Sequence, residues 1–196
     1  MRDAEDSTKQ EFWDTRYSTG RTPWDFGGVP SALRAFLTRA KPGRVLIPGC
    51  GSGYEVQAFH DAGFDVTAID FSTAAVERAA HILGPLRRCV IKGDFFTHDF
   101  SAHDFDLIYE RTFLCALPPT QWPAYARRMA ELLRKGNLLA GTFWYGDEPD
   151  PPPYPLTEAQ AAELLADRFE LIRSLPVSDS LPVFKGMERW QEWRRK

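Results

Sequence analysis

The sequence predicts an α/β fold: a doubly wound, mostly parallel sheet of seven strands, with helices on both faces and an antiparallel hairpin at its C-terminal edge. Three observations predict it. Short apolar runs alternate with segments of helical period along the 196 residues, the pattern of a sheet covered on both faces. A cluster of glycines follows the first apolar run. An acid ends the second, where sheets of this kind bind ligands.

The elements follow in order. The first ten residues are polar and are expected to be loose. Phe12, Trp13, Tyr17, Trp24 and Phe26 then come without clean periodicity. Leu33, Phe36, Leu37 and Ala40 fall on one helical face, with Ser31 as the cap. RVLIPGC, 44–50, is the first strand; residues 54–62 form a helix that Gly63 ends. FDVTAID, 64–70, is the second strand, and Ser72 caps a helix presenting Val76, Ala79, Ala80 and Leu83. RCVIKGDFF, 88–96, runs as a third strand into a loop, and FDLIYER, 105–111, is the fourth. Residues 120–135 have helical period up to Gly136, and NLLAGTFWY, 137–145, is the fifth strand. The prolines of GDEPDPPPYPL remove amide donors and exclude regular structure. Thr157 and Gln160 form a capping box, and FELIRSLPV and VFKGMERWQEW supply the last two strands. We expect one domain, 1–196, with an aromatic cap and helix in 1–43 and the core in 44–196.

Composition narrows the function. At 43% hydrophobic and 26% charged residues the chain is globular in type, which excludes disordered and coiled-coil classes. A net charge of −3 argues against a nucleic-acid partner. Cys50, Cys89 and Cys115 have no C-x-x-C spacing, so neither a disulfide framework nor a structural zinc is expected, and the reducing cytoplasm is the expected location. His98 and His103 sit among aspartates at a spacing that suits a solvated loop better than a metal site, and His60 and His81 read as helix-surface residues. The N-terminus lacks an apolar signal region and no apolar run spans a membrane, so no membrane partner is expected.

The glycine turn carries the chemistry. Gly49, Gly51 and Gly53 lie between strand and helix, where glycine lets a ligand approach the backbone. Asp70, twenty-one positions after Gly49, is placed to accept hydrogen bonds from two ribose hydroxyls. Tyr54 occupies the position of the third glycine of the dinucleotide pattern, which favours a nucleoside without a diphosphate. Asp94 and Phe95 end the third strand; a carboxylate beside a ring suits adenine, and it equally suits a turn with a core phenylalanine.

With FWDTRYSTGRTPWD, VLIPGCGSGYE, DVTAIDFS, GDFF, YERTFLCALPP, GTFWY and PPPYPLT, the chain resembles the class I S-adenosylmethionine-dependent methyltransferases, and within them the thiopurine/thiol S-methyltransferase family. The resemblance covers nearly the whole chain. It implies a Rossmann-like fold, S-adenosyl-L-methionine as cofactor, and direct in-line transfer of a methyl group to a small-molecule thiol or related sulfur nucleophile. It implies cofactor contacts from Trp13, Tyr17, Trp24, Gly49, Cys50, Gly51, Asp70, Phe71, Asp94, Phe95, Glu110 and Arg111. Aromatic faces attract the sulfonium cation, and Arg111 can hold the methionine carboxylate. Tyr17 and Arg111 are the candidate catalytic residues, as stabilisers of a thiolate.

Three positions depart from the family text. Glu55 stands where aspartate is frequent, and Lys135-Gly136-Asn137 where a Pro-Gly-Gly turn is usual. Glu110-Arg111 stands where many thiol and halide relatives carry Asp-Tyr, whereas thiopurine-type relatives have an arginine there. The last leaves a second reading open, an N- or O-methyltransferase acting on a small heteroaromatic compound. A third reading, a cofactor-binding module without turnover, would be marked by a broken glycine turn or a missing Asp70; neither is seen. Phe113, Trp144, Tyr145 and Tyr154 read either as an aromatic acceptor pocket or as core, and Asp147–Pro155 either as a lid or as a connector. Cys115 reads as a buried small hydrophobe. A monomer or weak dimer is expected.

Overall fold

The computed structural model describes residues 6–100, 104–148 and 151–196. Seven strands form one mixed sheet in the order β3-β2-β1-β4-β5-β7-β6. The chain divides into two compact units, Met1–His98 and Asp99–Lys196.

In the first unit, β1 (Arg44–Pro48), β2 (Asp65–Asp70) and β3 (Val90–Lys92) pair in parallel. Val45, Leu46 and Ile47 of β1 are all buried, so both faces of this strand are covered and its run is continuously apolar. α3 (Tyr54–Asp61) and α4 (Thr73–Leu83) follow β1 and β2. The Ser72 side chain caps α4 by accepting the Ala75 amide, and Ala75, Ala79 and Leu83 bury the helix's inner face. α2 spans Ser31–Leu37, with Pro30 rather than Ser31 at the capping position. The third strand is shorter than its apolar text predicts: residues 84–89 form a 3-10 turn and Gly93–Thr97 a bend.

α1 (Gln10–Ser18) is a helix the sequence pattern does not announce. Phe12 is its one fully buried residue, so it lacks an apolar stripe. Polar side chains hold it instead. Asp14 accepts the Ser72 hydroxyl at 2.7 Å and the Ala74 amide at 3.1 Å, which adds a second cap to α4. Gln10 bonds Thr73 and Lys92.

In the second unit, β4 (Phe105–Arg111) pairs in parallel with β5 (Leu133–Trp144), and β5 pairs antiparallel with β7 (Glu188–Arg195), which carries β6 (Phe169–Pro176) on its other side. The C-terminal edge hairpin is therefore present. α5 (Phe113–Ala116) follows β4, α6 (Trp122–Leu132) precedes β5, and α7 (Glu158–Ala166) begins with both bonds of the capping box from Thr157 and Gln160. Tyr109, Tyr125, Phe105, Phe143 and Phe169 are fully buried, each worth roughly 1.5–3 kcal/mol of burial.

Two boundaries differ from the sequence reading. Helical period continues to residue 135, yet the helix stops at Leu132, because Leu133 pairs with Phe105 and β5 runs on through Gly136. The last strand starts at Glu188 rather than Val183, since Pro182–Phe184 turn as a 3-10 helix and Lys185 adopts a φ of 53°.

Candidate active site

The rim of the first unit is built around Asp70. Its carboxylate ends β2 and accepts the Gly51 amide at 2.9 Å through one oxygen and the Ser72 amide at 2.9 Å through the other. Burial pushes its pKa up to about 6, opposed by these amides. Gly51 is constrained twice: its φ is 51°, and a Cβ there would collide with the Tyr17 hydroxyl. Tyr17 descends from α1 onto the glycine turn. Burial, with the Asp70 charge second, raises its pKa, so the hydroxyl stays protonated and serves as a donor. Cys50, buried beside Asp70, is likewise pushed well above the ordinary thiol range by desolvation and by that charge, so it offers no thiolate.

An aromatic wall stands next to this turn. Trp13 and Trp24 meet edge to face at 5.5 Å, Tyr17 and Trp24 at 6.1 Å, and Phe12 and Trp13 at 4.9 Å. The Trp13 indole donates to the Ser7 carbonyl at 2.8 Å, and Trp24 donates weakly to the Tyr17 oxygen at 3.4 Å. Asp25, one residue beyond Trp24, accepts the Ser52 hydroxyl at 2.6 Å and pairs with Arg78 at 3.1 Å. It ties the aromatic loop to the glycine turn. Sequence analysis assigns Asp25 no role; its position directly after Trp24 in the aromatic run is the available signal. Phe71 is half-buried directly after Asp70. Asp94 is exposed and accepts the Phe96 amide at 2.8 Å, and Phe95 is buried with its ring 5.4 Å from Phe96. Trp13, Tyr17, Trp24, Gly49, Cys50, Gly51, Asp70, Phe71, Asp94 and Phe95 all belong to this unit.

Glu110 and Arg111 belong to the second unit, at the end of β4. Glu110 is fully buried. It accepts the Phe113 amide at 2.7 Å, the Leu114 amide at 3.1 Å and the Tyr125 hydroxyl at 2.7 Å. Burial raises its pKa to about 7 against the pull of these donors. Arg111 alternates to the opposite face and reaches Glu188 at 3.3 Å. Thr112 between strand and α5 has a φ of 56°, a left-handed conformation costly for a β-branched residue. Its amide donates to Thr142 at 3.3 Å and its hydroxyl to the Arg111 carbonyl at 2.7 Å.

Of the candidate acceptor aromatics, Trp144 is buried and donates to the Phe184 carbonyl, Tyr145 donates to Gln191 at 2.6 Å, and Phe113 and Tyr154 are half-buried. Cys115 is buried, with its pKa well above the ordinary range through desolvation. In the proline loop, Gly146 and Leu156 form an isolated bridge and the Tyr154 amide donates to Cys115; Pro149 and Asp150 lie outside the described residues, as does His103. His60 and His81 are exposed on α3 and α4.

A model of the thiopurine S-methyltransferase (TPMT) family matches residues 8–196. The chain belongs to the thiopurine S-methyltransferase family. A probable thiol methyltransferase 2 of Arabidopsis thaliana is 34% identical over 192 residues, covering 93% of this chain and 84% of its own. Thiocyanate methyltransferase 1 of Brassica oleracea is 31% identical over 191 residues, with the same coverage of 93% and 84%. Among solved structures, the 1,6-didemethyltoxoflavin-N1-methyltransferase of Burkholderia thailandensis, with bound 1,6-didemethyltoxoflavin and S-adenosylhomocysteine, superposes with a TM-score of 0.72 at 24% identity, covering 95% of this chain and 86% of that one. It shares the Rossmann-like fold. Like its family, this methyltransferase uses S-adenosylmethionine. Among the described residues, no helix is long and apolar enough to cross a membrane.

Proposed function

We propose that this methyltransferase transfers the methyl group of S-adenosylmethionine to a small-molecule sulfur nucleophile, a thiol or a heteroaromatic thiol. The thiol and thiocyanate methyltransferases to which it is similar support sulfur over nitrogen or oxygen. The observation that carries the reading is Asp70. A buried carboxylate held by backbone amides alone, its pKa still at about 6, has acceptor capacity to spare, and ribose hydroxyls fit that need.

The residues present fit the cofactor. Asp70 would hold the ribose, with Gly49, Cys50 and Gly51 giving close backbone approach. Asp94, Phe95 and Phe71 would receive the adenine. Trp13, Tyr17 and Trp24 would face the charged end of the cofactor, where each aromatic face contributes about 0.5–2 kcal/mol of cation attraction. When bound, the cofactor would supply an activated methyl on a sulfonium sulfur, so that the acceptor sulfur would gain the methyl and lose its proton to water while the sulfonium would be left as a neutral thioether. The protein's work is alignment and exclusion of water, with α1 and its aromatic residues as the cover. Tyr17, kept protonated by burial, keeps its proton and can donate a hydrogen bond. Arg111, paired with Glu188, offers N–H hydrogen bonds to the incoming sulfur or to the cofactor carboxylate. Glu110, occupied by three donors, serves by fixing the backbone next to Arg111.

The finer setting belongs to the same proposal: one domain acting as a monomer or weak dimer in a reducing cytoplasm, without a nucleic-acid partner. The net charge of −3 and the free Cys50, Cys89 and Cys115 support it. The test combines calorimetry with S-adenosylhomocysteine and methyl incorporation into a panel of thiols, heteroaromatic thiols, amines and phenols. Binding together with turnover confined to sulfur acceptors is expected. Turnover of amines or phenols alone would replace the acceptor assignment.

A further inference from the structure

The end of β4 holds an ion pair that the sequence does not mark. Arg111 Nη1 lies 3.3 Å from Glu188 Oε1, and the two side chains are 11% and 2% exposed. They come from strands separated by β5. Arg111 is in register with Thr142, Thr142 with Trp190, and Trp144 with Glu188. Residues in register, and residues two apart on a strand, project from one face, so Arg111, Thr142 and Glu188 share a face of the sheet. Thr142 is 1% exposed and its hydroxyl has no hydrogen-bond partner among the described residues. A buried hydroxyl left unmatched beside a part-buried ion pair is costly unless a ligand completes it.

We infer that Glu188 sets the class of acceptor. By neutralising Arg111 it turns the polar patch at the end of β4 from a cation into a neutral pair, and the Thr142 hydroxyl adds a free hydrogen-bonding group. Such a patch suits a neutral acceptor that enters as S–H or as a hydrogen-bonding heteroaromatic thione. It disfavours a free inorganic anion, which would meet the Glu188 charge behind Arg111. A buried arginine without this partner would instead take an anion as its counter-charge. The inference rests on the reading that Arg111 faces the acceptor.

The test uses thiocyanate as the anion and 2-mercaptoethanol as the neutral thiol at pH 7. In Glu188→Gln, kcat/KM for thiocyanate relative to 2-mercaptoethanol should rise at least tenfold, carried by a lower thiocyanate KM. Calorimetry should show thiocyanate binding the protein saturated with S-adenosylhomocysteine at least tenfold more tightly than in the wild type. Glu188→Asp should restore the original preference. A folded Glu188→Gln protein that binds S-adenosylhomocysteine with an unchanged acceptor ratio and unchanged thiocyanate affinity overturns the inference. Arg111→Gln serves if Glu188→Gln does not fold, because it leaves the opposite charge: thiocyanate turnover should fall at least tenfold more than that of 2-mercaptoethanol, and equal losses also overturn the inference. If Arg111→Gln changes neither acceptor's KM, the underlying reading of Arg111 is what fails.

Discussion

Asp70 and Glu110 are both buried carboxylates at the ends of strands, one in each unit, and burial lifts both above the ordinary carboxylate range, to about 6 and about 7. Their partners separate them. Glu110 gathers two amides from the start of α5 and the hydroxyl of Tyr125 on α6, so it binds a strand to two helices. Asp70 meets backbone amides of its own rim and no side-chain donor in the rim described above. Burial alone does not tell a structural acid from a ligand-binding one. We propose that the kind of donor does: side-chain donors drawn from separate elements commit a carboxylate to the fold, whereas local backbone amides orient it.

Three experiments would break or sharpen this contrast. The largest effect is expected from Glu110→Ala, which leaves the Phe113 and Leu114 amides and the Tyr125 hydroxyl without their acceptor. It should cost about 4 kcal/mol of stability, measured by denaturant unfolding, at about 1–3 kcal/mol for each stranded donor with partial relaxation. A loss under 1 kcal/mol would remove Glu110's structural role. Next, Asp70→Asn should weaken S-adenosylhomocysteine binding by about 2 kcal/mol, the worth of a charged hydrogen bond, at a smaller cost in stability than Glu110→Ala, since it strands one of the two amides while removing a buried charge. Unchanged affinity would contradict the ribose assignment.

The smallest effect concerns pH. Asp70 is raised from 3.8 to about 6 in the free protein, and hydroxyl donors favour its ionised form. Affinity for S-adenosylhomocysteine should therefore climb as pH rises toward 6, by up to about tenfold per unit, and level off above it. Isothermal calorimetry between pH 5 and 8 checks this, and Asp70→Asn should flatten the profile.

The sheet was legible because its central strands carry short apolar runs, β1 buried on both faces, that end in punctuation. β1 and β2 lie within RVLIPGC and FDVTAID, and β4 coincides with FDLIYER. Boundaries failed where pairing outweighed local period: Leu133 carries a helical pattern and yet sits opposite Phe105. α1 was illegible because side-chain hydrogen bonds from Gln10 and Asp14 hold it, and no periodicity records a bond made some sixty residues away. In the candidate site, the pairing of Gly51 with Asp70 could be read from their spacing, since one backbone turn joins them. Glu188 could not, because its link to Arg111 crosses the whole width of β5.

The bond between Asp14 and the start of α4 has a consequence for the order in which the chain takes shape. A nine-residue helix with one buried residue is marginal by itself in water. During synthesis α1 emerges before Ser72 and Ala74, which receive it some sixty residues later. The opening segment must wait as a loose strand of polypeptide until the first βαβ repeat has closed, and only then does it wind and settle. A helix made before its partners is thus among the last parts of its unit to acquire its form.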